Sequence, residues 1–462
     1  MLVTTLSSAA FGAVVVPATA TAPTRTPATA PAATAAEAWK DLFAQPDPPT
    51  AKPQIDAVLA ACGNDVAAVK KLIAADDAFD AVAPGWSTHT VAVTDGTTKY
   101  DVSFVVFVPR TYHRDKPHPL ILTAHGQGEN GLSSARVLLE MLGRSADQYL
   151  VVGPTMPGPQ IYNGKAYQEQ AYLQPLAWAK RHLNVDDDRV HVNGYSQGGH
   201  GTWHLATMFP RLFASAVAMA GTPWFEGAPH TSTLYLENLS NLPLWAIWGD
   251  QDKPKPPAIG QVQFCRAATD RLTELGNTNY RGTEVPGAGH GGCWPRSDAF
   301  TAFLAANKRQ PVPEKFEHVF HLDTHRRGYY LEARDLAAKP MKMDGPIRIP
   351  FQPRADDPQG DKAGREYFAK YLFRMSAELD RAGNALTVHV TRIRSVRVYV
   401  TEGMFDLSKP VTLRFGTKTW KGAIAPSARC LLEHYADDRD ASALVYNEID
   451  LDPTGRATAR YK

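Results

Sequence analysis

The residues most able to do chemistry are Gly194-Tyr195-Ser196-Gln197-Gly198-Gly199, a G-x-S-x-G with a further glycine. They follow the apolar, β-branched run Val190-His191-Val192-Asn193 and precede a helix-compatible segment from His200 to Ala206. Strand, sharp turn and helix together make a nucleophile elbow, which holds a serine oxygen clear at the top of a sheet. The glycines let the backbone turn that tightly. A serine hydroxyl is a weak nucleophile at neutral pH. It needs an imidazole to take its proton and a carboxylate to hold that imidazole's tautomer.

Both partners have candidates downstream. The run Leu244-Trp245-Ala246-Ile247-Trp248-Gly249-Asp250-Gln251-Asp252 reads as an apolar strand entering a loop with G-x-x-D. Loops at the carboxyl ends of such strands carry active sites. Asp252 is the chosen acid, and Asp250 is the runner-up, or a brace for the loop. His290 lies among glycines in Val285-Pro286-Gly287-Ala288-Gly289-His290-Gly291-Gly292, a tight loop suited to presenting a ring. The order Ser, Asp, His is that of α/β-hydrolases. A fourth part, Thr123-Ala124-His125-Gly126-Gln127-Gly128, follows the strand Leu120 to Leu122 and has the form of an HG-type oxyanion loop. The backbone N–H groups of Gln127 and Gln197 are expected to converge on the developing oxyanion, where losing a donor costs about 2.7–4 kcal/mol of barrier. His125 is read as bracing that loop. Tyr195, Trp224 and Trp294 are candidates for a substrate pocket, since aromatic faces suit acyl or sugar groups.

No metal site or cofactor is expected. His200 and His204 have ligand-like spacing, but the glutamate of H-E-x-x-H is replaced by Gly201. His318, His321 and His325 are explained by a strand and the turn after it. Asp437-Asp438-Arg439-Asp440 reads as a solvated turn.

The elements that must position these residues follow from hydrophobic pattern. Thr88 to Val93 and Tyr100 to Val108 form a hairpin about Asp95-Gly96. Strands at 120–122, 150–152, 190–193, 216–218 and 244–247 then alternate with helices at 132–148, 174–183 and 261–275. Alternation after a hairpin predicts a mostly parallel sheet with helices on both faces, and short continuous apolar runs suit strands covered twice. Between two of these strands, Thr222 to Asn241 is long enough to form a lid. Before the sheet, 37–45 and 53–75 read as helices that pack on the domain following them. After a proline-containing boundary near 310–314, strands are predicted at 316–322, 328–336, 385–391, 395–401 and 411–415, with a helix inserted at 361–381.

This gives five segments: a signal peptide at 1–22, a Pro/Thr/Ala linker at 23–35, helices at 36–85, an α/β catalytic domain at 86–310, and a smaller, mainly-β domain at 311–462. The signal peptide rests on the apolar stretch Leu6 to Val16 and the sites Ala18-Thr19-Ala20 and Ala20-Thr21-Ala22, and implies export to the cell envelope or beyond. A formal net charge of +2 gives no support for nucleic-acid binding, and no apolar run is long enough to span a bilayer. The four cysteines lack C-x-x-C spacing, and Cys265 with Cys293 could pair as a disulfide or remain free.

The stretch Asp186-Asp187-Asp188-Arg189-Val190-His191-Val192-Asn193-Gly194-Tyr195-Ser196-Gln197-Gly198-Gly199 resembles the D-x-x-R-V-x-x-x-G-x-S-x-G-G of secreted polyhydroxybutyrate depolymerase-like and feruloyl-esterase-like proteins. These belong to the α/β-hydrolase superfamily, with prolyl-oligopeptidase-like relatives. The resemblance runs from about Thr88 to Ala306. It implies an α/β-hydrolase fold, the triad Ser196, Asp252 and His290, and oxyanion donation from the Gln127 and Gln197 amides. The expected function is a serine-dependent hydrolase of carboxylic esters whose substrate could be an esterified polysaccharide or a polyester. A prolyl-oligopeptidase-like peptidase is the catalytic alternative. A surface or carbohydrate-binding protein with a vestigial site is the alternative of another class.

Overall fold

The computed structural model describes residues 33–157, 166–223, 232–252, 261–339, 365–366 and 368–461. The expected signal peptide and most of the linker lie outside these residues.

A hairpin of β1 (Gly85–Asp95) and β2 (Thr98–Val108) starts an eight-stranded sheet. It continues with β3 (His118–Ala124), β4 (Leu150–Pro154), β5 (Val185–Tyr195), β6 (Ser215–Met219), β7 (Leu244–Gly249) and β8 (Tyr280–Val285). The spatial order is β1-β2-β4-β3-β5-β6-β7-β8. β2 runs antiparallel to β1 and to β4, and the pairs from β4 to β8 are parallel. This is the α/β-hydrolase fold. Helices α4 (Gly131–Leu142) and α8 (Ser297–Ala306) cover one face; α5 (Ala166–His182), α6 (Gln197–Met208) and α7 (Gln261–Glu274) cover the other. Successive strand residues point to opposite faces. Ile121, Trp245 and Ile247 therefore enter the first core, and Leu120, Leu122, Leu244 and Ala246 enter the second. Both faces are apolar, which is why these strands read as unbroken hydrophobic runs.

The expected 53–75 helix is two helices. After α1 (Ala35–Phe43), α2 (Lys52–Ala61) ends before Gly63 and Asn64, whose φ values are +62° and +54°. Asp65 then caps α3 (Val66–Ala74) by accepting from the Ala68 N–H. Their partner also differs from expectation. Trp39, Leu42, Ile55 and Leu59 share a core with Leu431, Leu432 and Tyr435 of α9 (Ala428–Asp438), far along the chain.

The C-terminal region holds two five-stranded sheets over a common core. One contains β10 (Arg327–Gly328), β11 (Leu331–Leu336), β14 (Ile393–Thr401), β17 (Val445–Leu451) and β18 (Ala457–Ala459). The other contains β9 (Lys315–Phe320), β12 (Phe373–Asp380), β13 (Ala385–Thr391), β15 (Val411–Phe415) and β16 (Lys418–Gly422). The helix expected over 361–381 is overturned where β12 lies. Phe373, Met375, Ala377 and Leu379 are buried and Arg374, Ser376 and Glu378 alternate with them, a period of two.

Asp437 to Asp440 is not a solvated turn. Arg439 and Asp440 are buried, and Asp440 receives Arg309 Nη2 at 2.8 Å. The sequence offers Arg439 as the adjacent cation, but Arg439 pairs with Asp76 and the cation on Asp440 is Arg309, 131 positions away. The segment 222–241 is no lid where it is described. Ser232–Asn241 forms tight helical turns, and Asn238 donates to the carbonyls of Thr207 and Val319, both at 2.9 Å, joining α6 to β9. All four cysteines are free thiols, so Cys265 and Cys293 form no disulfide.

Candidate active site

Ser196 sits between β5 and α6 with φ +56° and ψ −117°, in the left-handed half of backbone space. Such strain persists only where the surroundings enforce it. Here the Ser196 N–H donates to Met219 O at 2.9 Å, and the Ser196 carbonyl accepts from His200 N–H at 3.1 Å. Gly198 is required by close approach: a Cβ there would stand 2.0 Å from the carbonyl oxygen of Ala124. That contact brings the elbow against the loop that begins at the end of β3.

The loop after β3 is itself braced. His125 is buried, its Nδ1–H donates to Gly126 O at 2.7 Å, and its Nε2 accepts from the Met156 N–H at 2.9 Å. Burial pushes this imidazole below its ordinary value, so it is neutral, as both hydrogen bonds require. The Gly126 N–H donates to Glu129 Oε2 at 3.2 Å, fixing the turn that carries Gln127. Gln197 opens α6, where the first amides lack intrahelical partners and the helix end carries partial positive charge.

The remaining two predicted residues come from the ends of neighbouring strands. Asp252 follows β7, and His290 follows β8. Ser196 Oγ lies 2.7 Å from His290 Nε2, and His290 Nδ1 lies 2.9 Å from Asp252 Oδ2. These distances fix a tautomer: Nδ1–H donates to Asp252, and Nε2 accepts the serine hydroxyl. The His290 side chain is 43% exposed, against 12% for Asp252. The hydrogen bond that His290 donates to Asp252 outweighs partial burial and raises the His290 pKa above its ordinary value. Asp250 is not on the imidazole. Its Oδ1 accepts the Gly287 N–H at 2.8 Å and so holds the histidine loop. That loop lies directly on the strand end, since a Cβ on Gly249 would come within 2.1 Å of Ala288 O.

Of the pocket candidates, Tyr195 and Trp294 come together. Their rings stack at 4.5 Å with an interplanar angle of 21°, and Trp294 is 38% exposed. The Tyr195 hydroxyl donates to the His290 carbonyl at 2.7 Å. Trp224 lies outside the described residues.

Three more side chains touch the site in ways the sequence did not suggest. Gln261, at the start of α7, has its side-chain amide 3.3 Å from His290 Nδ1. Cys293 points its thiol at the His290 carbonyl at 3.3 Å. His200 binds the Thr222 backbone, accepting its N–H at 3.0 Å, and burial drives its pKa down to about 4. It braces the loop after β6. None of these has a motif of its own, and only the folded contacts reveal them.

Residues 96–272 match the family model for esterases. No curated protein matches the chain. Among solved structures, a thermostable esterase is 21% identical, with 48% of this chain and 63% of that one covered and a TM-score of 0.38. The poly(3-hydroxybutyrate) depolymerase LpqC of Bordetella parapertussis is 20% identical, with 45% and 85% covered and a TM-score of 0.38. The ferulic acid esterase AmCE1/Fae1A of Anaeromyces mucronatus is 18% identical, with 49% and 92% covered and a TM-score of 0.35. The chain thus spans less than two thirds of the first of these structures. The matched residues 96–272 span most of the eight-stranded sheet, so the resemblance to esterases falls on the part of the chain with the α/β-hydrolase fold.

Proposed function

We propose that the protein is a serine hydrolase of carboxylic esters in which Ser196, His290 and Asp252 form the catalytic triad. The observation that carries this reading is the continuous chain from Ser196 Oγ to His290 Nε2 at 2.7 Å and from Nδ1 to Asp252 at 2.9 Å. His290 Nε2 takes the hydroxyl proton as Oγ attacks the ester carbonyl carbon. The amides of Gln127 and Gln197 stabilise the negative charge that forms on the carbonyl oxygen. His290 then returns the proton to the departing alkoxide oxygen, leaving an acyl group on Ser196. Water enters, gives its proton to Nε2 and attacks the acyl carbon, and the collapse of that intermediate restores the hydroxyl. Asp252 keeps Nδ1 protonated throughout and stabilises the imidazolium.

The Tyr195–Trp294 stack forms a wall beside His290 that suits a flat or ring-shaped acyl or alcohol group. Acetylated xylan, feruloyl esters and polyhydroxybutyrate are the substrates to screen first. A fluorophosphonate probe should label the full chain on Ser196. Ser196→Ala should lose both labelling and hydrolysis of p-nitrophenyl acetate while keeping its melting temperature. Turnover retained in that variant refutes the assignment, and faster cleavage of aminoacyl amides than of esters moves the reading to a peptidase.

A further inference from the structure

A second group of reactive side chains lies in the seam between the hydrolase domain and the β-domain. Glu169 on α5, His204 on α6 and His325, in the short turn Asp323–His325 after β9, meet there and are all buried. Nε2 of His204 and Nε2 of His325 each lie 2.7 Å from the same carboxylate oxygen, Oε1 of Glu169. The ligating atoms offered by the three residues are all within 4.8 Å of one another.

Their neighbours hold the rings in place. The His204 and His325 rings meet edge to face at 5.8 Å, and Phe209 packs edge-on against His325 at 5.5 Å. His318 Nε2–H donates to the His325 carbonyl at 2.7 Å and fixes the turn. Three donors from three separate elements, pre-positioned by packing, form a small receptor rather than a surface accident.

A carboxylate withdrawn from water needs positive charge or hydrogen-bond donors beside it. Two imidazole nitrogens and a carboxylate oxygen are a donor set that Zn²⁺ takes in tetrahedral geometry, with water in the fourth position. With Zn–N and Zn–O bonds of about 2.0–2.1 Å, tetrahedral ligand atoms stand about 3.3 Å apart. The 2.7 Å contacts need open by only about 0.6 Å, a small rotation of each side chain.

We propose that Glu169, His204 and His325 form a zinc-binding site that clamps the β-domain onto α5 and α6 of the hydrolase domain. Local spacing could not show it. His204 is separated from Glu169 by 35 positions and His325 from Glu169 by 156, and His200, the apparent partner of His204, is turned to the Thr222 backbone. The site is independent of the triad, so it stands or falls separately from the esterase reading.

The test uses the full-length chain without a histidine tag, saturated with zinc and then dialysed against metal-free buffer. Elemental analysis should find one zinc per chain, and His325→Ala and Glu169→Gln should each lose it. Removing the metal with a chelator should lower the melting temperature, and zinc should restore it. Cobalt(II) added to the chelated protein should give the strong visible bands of tetrahedral coordination, a readout that does not depend on any variant folding. A dialysed chain that holds no zinc, shows no tetrahedral cobalt spectrum and melts unchanged with chelator overturns the proposal. Zinc retained at full occupancy in a folded His325→Ala variant overturns it too.

Discussion

Two imidazole–carboxylate groups lie at opposite ends of α6, and they are built to different purposes. At the N-terminal end, His290 places one nitrogen on Asp252 and the other on the Ser196 hydroxyl, with 43% of its side chain open to solvent. Toward the other end, His204 and His325 aim the same kind of nitrogen at one Glu169 oxygen, sealed between domains. The same functional groups thus give a solvent-reached imidazole on a serine hydroxyl in one case and a closed, buried cluster in the other. Access and the third partner decide what a histidine–carboxylate pair does. The comparison breaks if activity and stability fail together in both places.

The sharpest separation is His290→Ala. On the proposed mechanism the three residues act as a unit, so turnover should fall by about 10⁴-fold or more. Its melting temperature should stay close to that of the parent, because the ring is half exposed. His204→Ala should do the reverse: a lower melting temperature, with the folded fraction still labelled at Ser196. Thermal denaturation and active-site titration on both variants check this directly. The pH profile adds a second reading of the same ring. Neutral His290 is the base, so kcat/KM should be present above its pKa and lost below it. Asp252 raises that pKa, which puts the acidic limb above the imidazole's ordinary value of about 6.5. The sign for stability is opposite. A raised folded pKa contributes stability below the unfolded value and loses it as pH rises through the folded one.

Next in size is the contrast between the two aspartates. Asp252→Asn keeps the shape but presents the wrong partner to Nδ1, and a loss of about 10⁴-fold in kcat is expected. Asp250→Asn only weakens the grip on the Gly287 N–H, which is worth at most about 1.5–3 kcal/mol. Equal losses would show that Asp250, not Asp252, serves the imidazole.

The seam between domains gives the third effect. Arg309 is buried against Asp440 and lies 3.2 Å from Asp188. Arg309→Met leaves a buried carboxylate uncompensated, and a loss of about 3–5 kcal/mol of stability is expected. Denaturant unfolding would measure it, and the labelled fraction of folded protein should not change. Asp440→Asn together with Arg309→Met should recover part of that loss, since both charges are then gone.

The same contrast explains what could be read in the chain. The three residues of the proposed triad sit on loops whose sequence signals are local: glycines around Ser196, Asp252 closing a strand, and His290 among glycines. Each is a backbone requirement legible within ten residues. The parallel sheet was legible too, because strands buried on both faces write unbroken apolar runs. β8 was missed because its residues are only partly buried. β12 reads against the expected helix, since its polar residues at every second position would fall on opposite sides of one and fit only a strand's period of two. Long-range pairings left no mark at all. Nothing near Asp440 announces Arg309, nothing near Trp39 announces Tyr435, and nothing near His204 announces His325.

The smallest effects belong to the aromatic wall, and they separate positioning from substrate contact. Tyr195→Phe removes one hydrogen bond to the His290 carbonyl, worth about 0.5–1.5 kcal/mol. It acts through the imidazole, so kcat should fall by a similar factor on every ester tried. Trp294→Ala removes a half-exposed ring that stacks on Tyr195, whose own ring lies 5.4 Å from that of His290. An aromatic contact of this kind is worth about 0.5–1.5 kcal/mol. Its loss should raise KM for aromatic or sugar esters while leaving ethyl acetate, with no ring in either group, less affected. The two variants should therefore differ in pattern more than in size. A uniform drop in kcat for Trp294→Ala would make that ring a support for Tyr195, and the wall would then hold the base rather than the substrate.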